Sequence, residues 1–212
     1  LRCDWSSDVC SSDLFSDLNL SITDSFFESM SGITTTGSTI ITDLNSTPKA
    51  ILLWRAILQW LGGIGIIVMA ITLMPTMNVG GMQLLKISST DGSEKILPKT
   101  KEISIRLIII YIALTFLCAL FYKIFGMKFF DSLTHSMTTI ATGGFSNYND
   151  SIGHFNNFKI EMTSMIFIIL GSIPFIAYIK YLSGTKNIFI TDTQIKSFIK
   201  IIFFSILILF LY

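Results

Sequence analysis

Charge is what this chain has least of. Asp, Glu, Lys and Arg make up 14% of its 212 residues, against roughly a quarter in soluble domains. That deficit excludes an ordinary water-facing surface. A formal net charge of +1 also removes the electrostatic case for nucleic acid, because the few lysines sit at the ends of apolar blocks and form no basic stripe. Cysteine is scarce as well. Cys118 lies inside an apolar block, where it reads as a small buried hydrophobe. Cys3 and Cys10 have neither zinc-type spacing nor histidine partners, and nothing reports on the redox compartment. The chain offers no nucleophile–base motif, no metal-ligand spacing and no cofactor loop.

What is abundant is apolar: 51% of the residues, with 18 phenylalanines, much isoleucine and little alanine. These residues fall into blocks approaching or reaching the roughly 20 residues a helix needs to cross a bilayer. Ala50–Met74 is a first span, with Trp54 and Trp60 placed as interface anchors and Gly62, Gly63 and Gly65 offering a face without bulk. Ile103–Phe125 is a second, opening with Arg106 and closing with Lys123. Ile160–Tyr181 is a third, with a bend expected at Gly171 and Pro174. Phe198–Tyr212 is apolar but short for a span, as if the chain stopped inside one. The fold class is therefore an all-α membrane protein.

Two stretches between these spans share one plan. DSFFESMSGITTTGST (24–39) and DSLTHSMTTIATGGFS (131–146) align without gaps, matching Asp24/Asp131, Ser25/Ser132, Ser29/Ser136, Met30/Met137, Ile33/Ile140, Thr35/Thr142 and Gly37/Gly144. Each reads as a short helix, Asp24–Ile33 and Asp131–Ile140, that enters the membrane without crossing it. The loops that follow are rich in threonine and glycine. Irregular backbone at that depth is tolerated only against protein or a wet cavity, and carbonyls in such a loop can replace the water shell of an alkali cation. Thr35, Thr36, Gly37 and Ser38 are candidates for one wall of an alkali-cation filter, and Thr142, Gly143, Gly144 and Phe145 for another. Two walls do not enclose an ion.

Lysines orient the topology. The 75–106 loop and the 180–200 region are the basic ones, which puts them in the cytoplasm and both Thr/Gly loops outside. Residues 1–18 stand apart. They repeat Ser-Ser-Asp and Phe-Ser-Asp, lack the basic start and apolar core of a signal peptide, and read as a non-native leader. A short amphipathic piece is expected around Met82–Ile87.

FFESMSGITTTGSTI followed by WRAILQWLGGIGIIVMAITLMP, then GGMQLLK and later ATGGFS, closely resembles the TrkH/TrkG branch of the Trk/Ktr/HKT potassium transporters. The resemblance covers most of the chain from Leu20. It implies a potassium-channel-like architecture of four membrane–pore-loop–membrane repeats around one pore, of which this chain holds about two. The division would be 19–74 for the pore loop and second helix of repeat 1, 75–102 for a cytoplasmic linker, 103–182 for repeat 2, and 183–212 for a linker and the start of repeat 3. It places the filter glycines at Gly37 and Gly144, and glycine instead of serine at the first favours potassium over sodium. It also implies potassium uptake across the bacterial cytoplasmic membrane, a homodimer, and cytosolic nucleotide-binding regulatory subunits. No cofactor is expected, potassium being the substrate.

The helices expected before the first pore loop are replaced by the leader. The gating loop and basic pore residue of later repeats lie beyond Tyr212, so the chain as given is expected not to conduct. Two alternatives stand beside transport: an intramembrane enzyme using His135 with Glu28 or Asp131, and a nonfunctional truncated fragment. Glu28 and His135 occupy equivalent positions, where pore-helix hydrogen bonding is the expected role and a proton relay the alternative. Arg55 and Gln59, one turn apart, are expected to snorkel or to pair with an acid, the alternative being a permeation role. Asp131 is read as a helix cap or as a charge attracting cations to the mouth, and His154 as an exposed loop residue.

Overall fold

The computed structural model describes residues 21–73, 96–182 and 187–211, and among them the regular structure is entirely helical. The leader and the Met82–Ile87 piece lie outside the described residues. In chain order the helices are α1 (Ile22–Ile33), α2 (Lys49–Leu73), α3 (Ile96–Ile124), α4 (Phe129–Ile140), α5 (Phe158–Ser172), α6 (Phe175–Leu182), α7 (Ile188–Thr191) and α8 (Thr193–Leu211). Segments of α2, α3 and α8 are long and apolar enough to cross a membrane, and α5 with α6 makes a fourth if the pair counts as one span.

The two short helices are amphipathic in the inverse sense. On α1 the buried residues are Ser25, Glu28, Ser29, Ser31 and Gly32, while Ile22, Phe26, Phe27 and Met30 are exposed. On α4 the buried face is Asp131, Ser132, Thr134, His135, Ser136, Thr138, Thr139 and Ile140, with Phe129 exposed. Such a distribution suits lipid outside and polar partners inside. Ser21 caps α1 by accepting from the Asp24 N–H at 3.2 Å, and Asp24 lies in the first turn. No side chain caps α4.

Around α4 pack α2, α3 and α5. Tyr111, Cys118 and Tyr122 of α3 are buried in that core. Tyr122 Oη lies 2.9 Å from Thr139 Oγ1. Trp60 is tied into the protein: its indole N–H donates to Thr115 Oγ1 at 3.0 Å, and its carbonyl accepts from Tyr111 Oη at 2.9 Å. A membrane core rewards such a pairing because no water competes for the donor.

The third span is broken. α5 and α6 meet at 82° across Ile173 and Pro174, far more than a bend in one helix. Pro174 has no N–H for the Leu170 carbonyl. That oxygen instead accepts from the Ile173 N–H at 3.3 Å and Tyr178 Oη at 2.7 Å. The last apolar segment is longer than its composition implied, because α8 begins at Thr193 and runs 19 residues, with nearly all of its described surface exposed.

Each short helix ends against a glycine of the span that follows it. A Cβ on Gly62 would lie 2.0 Å from the Ile33 carbonyl oxygen, and one on Gly171 would lie 2.8 Å from that of Ile140. Gly63 approaches Tyr111 Oη and Ala141 in the same way, whereas Gly65 faces open space. Gly62→Ala should therefore cost about 1–3 kcal/mol or more by overpacking. Gly65→Ala should stay within about 0.5 kcal/mol of the parent. Unfolding of the two variants in detergent would compare them, and equal stability would contradict the packing.

Candidate functional site

The loops after α1 and α4 copy each other bond for bond. The Thr34 N–H donates to the Met30 carbonyl at 2.9 Å, and the Ala141 N–H to Met137 at 3.1 Å. The Thr35 N–H donates to Gly32 and the Thr142 N–H to Thr139, both at 3.0 Å. The Thr36 N–H donates to Ser31 and the Gly143 N–H to Thr138, again both at 3.0 Å. Backbone angles repeat too: φ is 55° at Thr35 and 54° at Thr142, 78° at Gly37 and 83° at Gly144. Left-handed φ at a β-branched threonine is strained by about 1–3 kcal/mol, so its recurrence marks a conformation the surroundings enforce twice.

The eight residues singled out from the sequence all lie in these loops. Thr36, Ser38, Thr142 and Gly144 are exposed, Thr35 and Gly37 half-buried, Gly143 and Phe145 buried. The loops meet where Gly37 faces Gly143. A Cβ on Gly37 would lie 1.9 Å from the Gly143 carbonyl oxygen. Glycine is thus required there for space as well as for φ. Gly144 needs it for φ alone, since nothing lies within 4 Å of its Cβ position.

Glu28 and His135 hold the equivalent residue of each loop. Glu28 Oε1 accepts from Thr39 Oγ1 at 2.9 Å and Oε2 from the Ile40 N–H at 3.0 Å. His135 Nε2 lies 3.0 Å from Ser146 Oγ. Its Nδ1 is 2.9 Å from the Asp131 carbonyl, which can only accept, so Nδ1 carries the proton and Ser146 donates to Nε2. The two hydroxyls then each accept from a backbone N–H two residues on: Ile41 to Thr39 at 3.2 Å, Tyr148 to Ser146 at 3.1 Å.

Asp131 neither caps α4 nor faces the mouth as a free charge. It is buried, with Oδ1 accepting from Asn147 Nδ2 at 2.9 Å and Oδ2 from Tyr148 Oη at 3.1 Å. Burial, with the Asp131 carboxylate alongside, pushes the Tyr148 phenol above its ordinary range and keeps that donor protonated. His154 is exposed, as expected, and stacks on Tyr148 with ring centroids 3.7 Å apart. Ser146, Asn147 and Tyr148 escaped the sequence reading. The alignment of Thr39 with Ser146, both hydroxyl-bearing, was the available signal.

Arg55 is buried as well. It does not snorkel: its Nε donates to Glu28 Oε1 at 2.7 Å, and the two side chains are 2% and 1% exposed. Glu28 is therefore a paired carboxylate engaged on both oxygens. Among the described residues no cluster of His, Cys, Asp and Glu could hold a metal ion.

A family model described as cation transport protein TrkH matches residues 4–212. The chain belongs to the TrkH family. The matched range takes in most of the 1–18 segment that composition sets apart. Over 189 residues the chain is 40% identical to the Trk system potassium uptake protein TrkI of Halomonas elongata, covering 89% of this chain and 38% of that one. Over 188 residues it is 42% identical to the TrkH of Escherichia coli K12, covering 87% and 39%. The crystal structure of the potassium transporter TrkH from Vibrio parahaemolyticus superposes with a TM-score of 0.80 at 33% identity, over 98% of this chain and 43% of that one. The chain thus spans about two fifths of the length of these TrkH-family relatives.

Removing one partner of a buried ion pair leaves the other uncompensated. Glu28→Ala is expected to lose about 3–5 kcal/mol. The double change Glu28→Met with Arg55→Met should recover much of that loss, since two apolar groups leave no orphan charge. Equilibrium unfolding of the three proteins in detergent measures the coupling. A double variant as unstable as Glu28→Ala would show that the pair is not the cause.

Proposed function

We propose that this chain forms part of the potassium pathway of a Trk-type uptake system, as two walls of a selectivity filter. The observation that carries the reading is the double occurrence of one strained loop, with matching φ angles and hydrogen bonds, closing at Gly37 against Gly143. Positive φ at alternate residues lets a short loop turn successive carbonyls toward one side, the arrangement that strips water from an alkali cation. Thr35, Thr36, Gly37 and Ser38 would contribute from the first wall and Thr142, Gly143, Gly144 and Phe145 from the second. In this reading the substrate is the bare ion, and discrimination comes from how far the walls can approach.

The potassium uptake named for the relatives supports the choice of ion. Gly37 is needed for the two loops to meet, because any side chain there would run into the Gly143 carbonyl. We place the loops on the outer side of the bacterial cytoplasmic membrane and the basic 75–106 and 180–200 regions in the cytoplasm. A homodimer and cytosolic nucleotide-binding regulatory subunits complete the proposed assembly. Enzymatic use of His135 is disfavoured: its ring is engaged by the Asp131 backbone and Ser146, and Glu28 is neutralised by Arg55.

The test grafts this chain in place of the matching segment of the full-length E. coli relative, in a host lacking its own potassium uptake. The graft should restore growth on limiting potassium. Gly37→Asp or Gly144→Asp should abolish that growth with the protein still in the membrane. A graft that reaches the membrane without restoring growth, or one indifferent to both substitutions, overturns the reading.

A further inference from the structure

Arg55 has a second set of contacts, directed away from Glu28. Its guanidinium carbon lies 4.1 Å from the centroid of the Phe145 ring, and Nη1 reaches the Ser146 carbonyl at 3.4 Å. Both residues belong to the loop after α4. Glu28, on the other side of the same guanidinium, holds Thr39 and Ile40 at the exit of the loop after α1. One turn along α2, Gln59 continues the grip. Its Oε1 accepts from the Phe145 N–H at 3.1 Å, and its amide fills the space beside Gly143, where a Cβ would lie 2.4–2.7 Å from it. A single face of one span thus grips the second loop directly, beside Gly144, and reaches the exit of the first through Glu28.

The device is not repeated. Gly171 stands against Ile140 as Gly62 stands against Ile33. The positions one and two turns earlier, held by Gln59 and Arg55 on α2, are Ile168 and Ser164 on α5. There, with His135 and Ser146, they line a cavity of about 130 Å³ behind the second loop. A requirement of the fold alone would recur at each short helix, as the glycine contacts do. A charged clamp at one junction has a narrower purpose.

We propose that Arg55, backed by Gln59, is a positioning residue that fixes the approach of the two filter loops and thereby sets discrimination between potassium and smaller alkali cations. The proposal rests on the reading of these loops as filter walls. The guanidinium suits the task because it is planar: it stacks on Phe145 while its edges serve Glu28 and Ser146 together. An ammonium is a point charge and cannot do all three. A smaller cation needs the walls closer, so loosening the clamp lowers the penalty on sodium before it stops permeation.

The experiment measures rubidium and sodium uptake, separately and in competition, by the full-length graft. Arg55→Lys keeps the charge beside Glu28 but gives up the stack and the Ser146 contact. The preference for rubidium should fall about tenfold, the equivalent of one charge-assisted hydrogen bond. Gln59→Leu and Phe145→Leu should shift it in the same direction, and they carry the test if Arg55→Lys does not reach the membrane. An unchanged preference in the inserted variants, or a loss of both ions in proportion to the amount of protein, overturns the proposal as a merely structural role would. If the unsubstituted graft takes up neither ion, the transport reading fails first, and the two failures are told apart.

Discussion

A chain that stops being helical part-way through a bilayer must satisfy its released backbone groups within the protein, because the hydrocarbon offers nothing to bond to. That constraint organises this structure. At the ends of α1 and α4 the freed N–H groups turn back onto the helix carbonyls, three in each loop and in the same pattern. The final carbonyls, Ile33 and Ile140, press onto Gly62 and Gly171, where the absence of a side chain lets backbone meet backbone. The inverted burial of α1 and α4 follows from the same need. Glu28, His135 and Ser31 turn inward to bond the loops, most of the other hydroxyls bond carbonyls of their own helix, and Phe26, Phe27 and Phe129 remain exposed.

The repeats are alike where the constraint is local and unlike where it is not. The positive φ angles agree within 5° and the matching hydrogen bonds within 0.2 Å. The side chains that pin the loops differ: a carboxylate in one, a neutral imidazole in the other, each on a hydroxyl at the matching position. Either group can serve because the hydroxyl donates to a carboxylate oxygen as readily as to an unprotonated ring nitrogen. The carboxylate brings a charge that burial cannot tolerate alone, and so it brings Arg55. The imidazole needs no counterion, and Ser164 and Ile168 suffice on the span beside it.

Much of this was legible in the sequence. The gapless alignment located both loops, and the short helices end where it placed them, at Ile33 and Ile140. Their starts moved by two residues, since Ser21 is the cap and Phe129 opens α4. Pro174 announced a disturbance but not its size. A missing N–H only frees a carbonyl, and Tyr178 and the burial of Phe175 in the core accompany the 82° turn. The partners of Trp60 and Asp131 escaped the sequence for a common reason. Residue type assigns a habit, such as interface anchor or mouth charge, while their actual partners, Thr115, Asn147 and Tyr148, come from the three-dimensional pairing of helices.

One of the contacts that join the repeats is hardly visible in the sequence. Arg55 and Ser146 are 91 positions apart, and no periodicity links them. From its own helix Arg55 is an anomaly, a cation in an apolar span, and pairing with an acid accounts for half of its contacts. The other half follows once α2 is seen to lie between the loops. A side chain on a helix so placed can touch one loop directly and reach the other through Glu28, and a rigid, planar, permanently charged group can hold the two at a fixed separation. The symmetry of the backbone makes the two loops alike; the asymmetric residue on the span between them relates one loop to the other.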